Sequence, residues 1–478
     1  MASSWARLRR ADPRRGEINT SAGRLPSSTL TDRTLHATVD RIDHNAMTSV
    51  EVESGQRGAW EADRGRAGDS PLTGLPMVVS DTIHVAGLPN TAGTPALADF
   101  VPARDAPSVH LLREAGALLL GKANVHELSI GVTGADSALG PLRNAVDPTR
   151  LAGGGSGGVA AAVALGAPAG LAVDTCGSAR IPAALNGVCA LRPTFGRYLC
   201  GGLTPLSASR GTVAPISQTI DDLALIDSVL AGEPAMLVER ESMPRLGVPT
   251  SYRDGPCDRV TVETFEAVLD RLGSRGVTIV EVPNFPLEGA ERDVGMPIIG
   301  YEFRRDLARY LGTYHPSCTI EKLVAQLVSP DIAHFFRRYV LDKPLTEVTD
   351  AAYEEAFTFG RSALRARYRR AFLTYDLDAL VLPTTPRRAM SVAGSGDELG
   401  PLPPGVPTPN AYAADVYTRH TAPGSLVGLP GLTLPVRTDD GLPMGLGLDG
   451  SPRGDRHLLS IGKQLESLLS EEAAPSLI

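Results

Sequence analysis

Residues 151–197, LAGGGSGGVAAAVALGAPAGLAVDTCGSARIPAALNGVCALRPTFGR, limit the fold more than any other stretch of the chain. Two Gly/Ser loops, Gly153–Gly158 and Asp174–Ser178, bracket a run of Ala and Val. A run that is apolar all round predicts a buried helix. The glycines admit positive φ and let one backbone approach another closely. A Ser at the end of such a loop stands beside free backbone N–H groups, the makings of an oxyanion hole. Ser178 ends the second of these loops.

The surrounding residues sharpen this reading. Asp174-Thr175-Cys176-Gly177-Ser178-Ala179-Arg180-Ile181-Pro182 resembles the nucleophile loop of the amidase signature family of serine amidohydrolases. Gly121-Lys122-Ala123-Asn124-Val125-His126-Glu127-Leu128 is similar to a segment of the family's indoleacetamide and mandelamide hydrolase branch. The resemblance runs from about residue 35 to about residue 470. It implies an α/β amidase-signature fold, a central mixed twisted sheet covered by helices on both faces. It also implies that Ser178 is the nucleophile and that the backbone N–H groups of Thr175, Cys176, Gly177 and Ser178 hold a substrate carbonyl.

The family's Ser–cis-Ser–Lys triad is not matched throughout. In Gly74-Leu75-Pro76-Met77-Val78-Val79-Ser80-Asp81, Ser80 stands where the resemblance expects the Lys. In Gly153-Gly154-Gly155-Ser156-Gly157-Gly158, Gly155 stands where it expects the bridging Ser. Cys176 replaces a Gly, and Gly211 replaces an Asp. Lys122 matches a different lysine of the family, not that of the triad. A Ser hydroxyl is a weak nucleophile unless a base takes its proton. Ser80 and Asp81 are the polar groups expected near Ser178, Asp81 as a base if burial raises its pKa. Gly155, Ser156 and His126 are expected to border the substrate, beside the oxyanion loop of Thr175, Cys176 and Gly177.

These departures favour a repurposed enzyme. It would run cyclisation, dehydration, addition or acyl rearrangement on a small carbonyl compound, in secondary metabolism. A conventional amide hydrolase with replacement acid/base groups is the alternative, and a silent ligand-binding protein the third reading. No cofactor or metal is expected. His126-Glu127 lacks the second His of a zinc H-E-x-x-H, because residue 130 is Ile. Gly153-x-Gly155-x-x-Gly158 fits a dinucleotide fingerprint, but no apolar strand precedes it.

Composition excludes other classes. A net charge of −8 argues against a general nucleic-acid surface. Five Cys without a C-x-x-C pair argue against a disulfide framework and suit a reducing, cytoplasmic compartment. No uninterrupted apolar run reaches the length of a membrane span. A small-molecule substrate and a homodimer are the expected partners, with no nucleic acid and no membrane.

Along the chain, residues 1–30 carry six Arg and read as a loose N-terminal arm. Residues 31–478 read as one domain, in which 290–375 form a helical region capping the pocket. A helix is expected over Ala106–Leu120, stopped by Gly121. Strands are expected at Met77–Val79, Val188–Leu191, Arg245–Val248, Val277–Val282, Leu377–Leu382 and Leu432–Val436, with a last strand after Gly445. Helices are expected at Thr219–Leu230, Val260–Leu272 and Arg456–Leu469, and an exposed loop over 391–411.

Overall fold

The computed structural model describes residues 17–470 except 21–22, 40–41, 69, 238–239, 241, 254, 256, 286, 288, 342–347, 394–397, 400, 402–405 and 407. Eleven strands form one sheet: β1 (Met47–Val50), β2 (Pro76–Ser80), β3 (Leu118–Ala123), β4 (Ala169–Asp174), β5 (Cys189–Arg192), β6 (Thr212–Ser217), β7 (Arg245–Pro249), β8 (Thr278–Val282), β9 (Ala379–Pro383), β10 (Gly431–Arg437) and β11 (Pro443–Gly450). Their spatial order is 8-7-9-11-10-5-6-4-2-3-1. Strand β2 runs parallel to β3 and β4, and β7 parallel to β8 and β9. The remaining pairings are antiparallel, so the sheet is mixed, as the resemblance implied.

Alternation along a strand sends successive side chains to opposite faces. On one face Met77 and Val79 join a core with Leu112, Leu171 and Ile226. On the other, Val78 and Ala123 pack with Val159, Ala160, Ala179 and Ala183. The second face carries the helix Gly157–Leu165, whose small side chains let it lie directly on the sheet. At Gly158 a Cβ would stand 2.7 Å from Asn124 N, leaving no room for any side chain.

The helix expected over Ala106–Leu120 is two elements. A helix occupies Pro107–Glu114, the chain turns at Gly116 with φ +91°, and Leu118–Ala123 is β3. Three consecutive Leu satisfy a helical and an extended period equally, and the Gly turn decides between them. Gly121 is therefore no helix stop. It lies inside β3 at φ +147°, where a Cβ would collide with the carbonyl of Ser49 on β1. The expected arm also ends early. Glu17–Thr20 pairs with Gly23–Pro26, and Ser27–Val39 is helical, with Ser27 Oγ donating to Gly74 O at 2.5 Å. Residues 1–16 lie outside the described residues. Part of the loop expected at 391–411 does too, but Leu399 is buried in a cluster with Met390 and Ala413. No helix among the described residues is long and apolar enough to cross a membrane.

Gly121 gives a direct test. Gly121→Ala should lower unfolding free energy by about 2–4 kcal/mol, since it combines an unfavourable φ with a backbone collision. Gly65→Ala, at φ +66° with nothing within 4 Å, should cost only about 1 kcal/mol. Urea denaturation of both variants checks the difference.

Candidate active site

The loop Asp174–Ser178 leaves the end of β4 and enters the helix Arg180–Asn186. Its shape is set by the Asp174 carboxylate. This accepts from Gly177 N (2.9 Å), from Arg180 Nε (3.1 Å) and from Arg192 Nη1 (3.3 Å). Burial alone would raise this carboxyl, but Arg180, Arg192 and the Gly177 N–H bring it down to about 2. Arg180 continues the network to Thr421 O and Ser425 Oγ, and Asp449 lies 3.7 Å from its Nη1. Burial pushes the Asp449 carboxyl up to about 6. Thr421 Oγ1 donates to Cys176 O at 2.6 Å, fixing the loop from the other side.

The consequence lies at the backbone. Gly177 N–H is consumed by Asp174, so it is not a donor for a substrate, contrary to expectation. Among the described residues, nothing accepts from the N–H of Thr175, Cys176 or Ser178. The Ser178 hydroxyl likewise has no hydrogen-bond partner among them. Ser178 is 9% exposed. Three unused donors and one unused hydroxyl thus fall within four residues.

The other expected residues distribute differently. Ser80 shares the face of Val78, the face that carries the nucleophile loop, but its Oγ pairs with Thr82 Oγ1 at 2.9 Å and it is fully buried. Asp81 turns to the opposite side of the sheet. It accepts from Thr91 N and Oγ1 and from Gly93 N, and it meets Lys122 Nζ at 3.5 Å. Burial raises the Asp81 carboxyl. Ser156 is also buried, with its Oγ on Val173 of β4, so it anchors the Gly loop. His126 is sealed from solvent under Gly131, where a Cβ would be 2.5 Å from its Nε2. Burial lowers its pKa, and Asp136 lies 3.9 Å from its Nε2. Cys176 is partly exposed, but burial pushes its thiol far up, and Arg210 Nη2 donates to its sulfur at 3.1 Å. Arg210 is paired in turn with Glu291 at 2.7 Å, so this side of the loop is lined by an ion pair rather than a thiolate.

One residue was not anticipated. Ser129 follows Leu128, and both have left-handed backbones, φ +57° and +55°. Such conformations cost about 1–3 kcal/mol in a residue with a side chain and persist only where the surroundings enforce them. Here Leu128 N donates to Ala92 O (2.7 Å) and Ser129 N to His126 O (2.7 Å). The Glu127 carboxylate accepts from Val328 N and Ser329 N. The result places Ser129 Oγ where a Cβ on Gly155 would otherwise project. No local pattern joins Ser129 to Gly155, because only the fold brings them together. Among the described residues no cluster of three or more His, Cys, Asp or Glu is placed to hold a metal.

Residues 33–459 match the family model for Amidase. The chain is 36% identical over 472 residues to mandelamide hydrolase of Pseudomonas putida, covering 95% of this chain and 90% of that protein. It is 35% identical over 442 residues to indoleacetamide hydrolase of Agrobacterium vitis, covering 91% and 92%. Among solved structures, a crystal structure of an amidase superposes with a TM-score of 0.79 at 34% identity, covering 93% of this chain and 96% of that one. Native peptide amidase from Stenotrophomonas maltophilia gives 0.75 at 28% identity, covering 93% and 94%.

The Asp174 network predicts a pH dependence. Its folded pKa of about 2 lies below the ordinary 3.8. Between those values the unfolded chain binds more protons, so stability falls as pH drops from about 4 to about 2, by about 2–3 kcal/mol. Asp174→Asn should remove this limb. It should also cost about 3–5 kcal/mol at neutral pH, because Arg180 and Arg192 lose their buried partner. Denaturant unfolding of both proteins from pH 2 to 7 measures the two effects.

Proposed function

The chain belongs to the Amidase family, and from that premise we propose that it hydrolyses a small carboxamide with Ser178 as nucleophile. The observation that carries the reading is the set of unused N–H groups of Thr175, Cys176 and Ser178 around an unpartnered Ser178 hydroxyl. An amide carbonyl oxygen takes negative charge as the Ser178 oxygen attacks it. Preorganised backbone donors stabilise that charge, each by about 3–4 kcal/mol. The Asp174 network holds them in place before substrate arrives, so little reorganisation is spent at the moment of reaction.

The expectation of cyclisation, dehydration, addition or acyl rearrangement is withdrawn in favour of hydrolysis. It rested on the altered residues at 80, 155, 176 and 211. The relatives with whole-chain similarity carry the names of amide hydrolases, and nothing in the fold favours a biosynthetic role. The same names suggest a substrate class: a primary amide one carbon removed from an aromatic ring. Asp81 and Lys122 are not the acid/base groups of this reading, because they face the opposite side of the sheet.

Incubation with a fluorophosphonate probe should label Ser178, identified by peptide mass spectrometry. Ser178→Ala should abolish labelling and lower hydrolysis of mandelamide or indole-3-acetamide by about 10³-fold or more. Release of ammonia by Ser178→Ala at the wild-type rate would remove Ser178 from the reaction.

A further inference from the structure

We infer that Ser129 supplies the second hydroxyl of the active site, relaying the proton of Ser178 across the space left open at Gly155. The inference rests on the reading of Ser178 as nucleophile. A serine that attacks an amide must lose its proton, and the leaving nitrogen must gain one. Neither Ser80, bonded to Thr82, nor Asp81, turned to Lys122, is arranged to take it.

Ser129 is. Its Oγ occupies the position into which a side chain at residue 155 would extend. That position is on the nucleophile's own support: Ser156 N donates to Ser178 O at 3.2 Å, and a Cβ on Gly154 would lie 3.0 Å from the same oxygen. Gly155 thus lies beside Ser156, whose N–H braces the Ser178 carbonyl. Ser129 is partly exposed, unlike Ser80 and Ser156. No hydrogen bond holds its Oγ among the described residues. Its backbone is in the left-handed region, as is that of Leu128 before it, and four hydrogen bonds from 127–129 fix that geometry. Strain maintained this way gathers at functional sites. The absence of a side chain at 155 is then a steric requirement of Ser129.

The step balances without another group. As Ser178 Oγ bonds to the carbonyl carbon, its proton passes to Ser129 Oγ, and the proton of Ser129 passes to the departing amide nitrogen. The products are an acyl ester on Ser178 and free amine or ammonia. Water then attacks the ester, handing its proton through Ser129 back to Ser178 Oγ, and the acid leaves.

The test moves the hydroxyl from one residue to the other. Ser129→Ala should slow fluorophosphonate labelling of Ser178 and amide hydrolysis by about 10²-fold or more, with the circular dichroism spectrum and melting temperature near wild type. Ser129→Ala with Gly155→Ser should recover at least tenfold, since the hydroxyl returns from the loop itself into the vacated space. Ser129→Ala with Gly155→Ala should not recover, which separates the hydroxyl from its packing. Wild-type rates for Ser129→Ala, or equal rates for the two double variants, would overturn the assignment of Ser129 while leaving Ser178 as nucleophile. Failure of the probe to label the wild-type protein at all would instead overturn the reading of Ser178, and Ser129 with it.

Discussion

The site depends on one buried carboxylate. Asp174 ends β4 and binds two guanidinium groups and the N–H of Gly177 at once. A buried carboxylate with this many donors stays charged, and its charge in turn keeps Arg180 and Arg192 tolerable in the interior. Burial and the neighbouring Arg180 and Arg210 already push Arg192 down to about 10, against the pull of Asp174. By occupying Gly177 N–H, Asp174 bends the loop so that the N–H groups on either side point elsewhere. Those orphaned donors are the chemical content of the site. The loop is therefore an electrostatic structure first, and its Gly and Ser residues are the ones that can follow the path the ion network sets.

The same loop depends on small side chains beneath it. Val159, Ala160, Ala161, Ala162 and Val163 are fully buried between the sheet and the nucleophile helix. At Gly158, Gly170 and Gly177 the space for a Cβ is already taken by backbone or side-chain atoms. Close packing of this kind leaves rigid backbone, and rigid backbone is what fixed donors require. A larger residue at any of these places would shift the loop rather than merely strain a side chain.

Much of this was legible in the sequence, and the limits have physical causes. The Asp174–Pro182 run is contiguous, so its pattern declares the loop, the buried helix before it and the position of Ser178. The α/β alternation of residues 245–282 is equally local, and the parallel pairing of β7 with β8 follows from it. Strands β4 and β6 were missed because Ala and Gly in β4 and Pro in β6 have weak strand preference, and these strands form only because neighbours cover them. Leu118–Leu120 misled because three equal residues carry no period. Consumption of Gly177 N–H, the sealing of His126 and the approach of Ser129 to Gly155 are all tertiary facts. Each depends on where a distant segment lies, and no spacing rule encodes that.

The sheet itself acts as a divider, and this bears on how any proton leaves Ser178. Lys122 is the kind of residue that invites a catalytic role: burial pushes its ammonium down to about 8, within reach of neutral pH. Yet β3 aligns Lys122 with Val79, on the face opposite Val78, Ala123 and Ala179. Its Nζ is spent on Asp81, Asn90 Oδ1 and Pro89 O. From Asn90 the network continues to the hydroxyl of Tyr310, in the helix Met296–Tyr314, and from there to His84. The pair thus ties the helix Met296–Tyr314 to the sheet, and a backbone layer separates it from Ser178. A depressed lysine pKa is evidence of burial. Whether it is also evidence of catalysis depends on which face the strand register assigns, and here the register assigns the face without the serine.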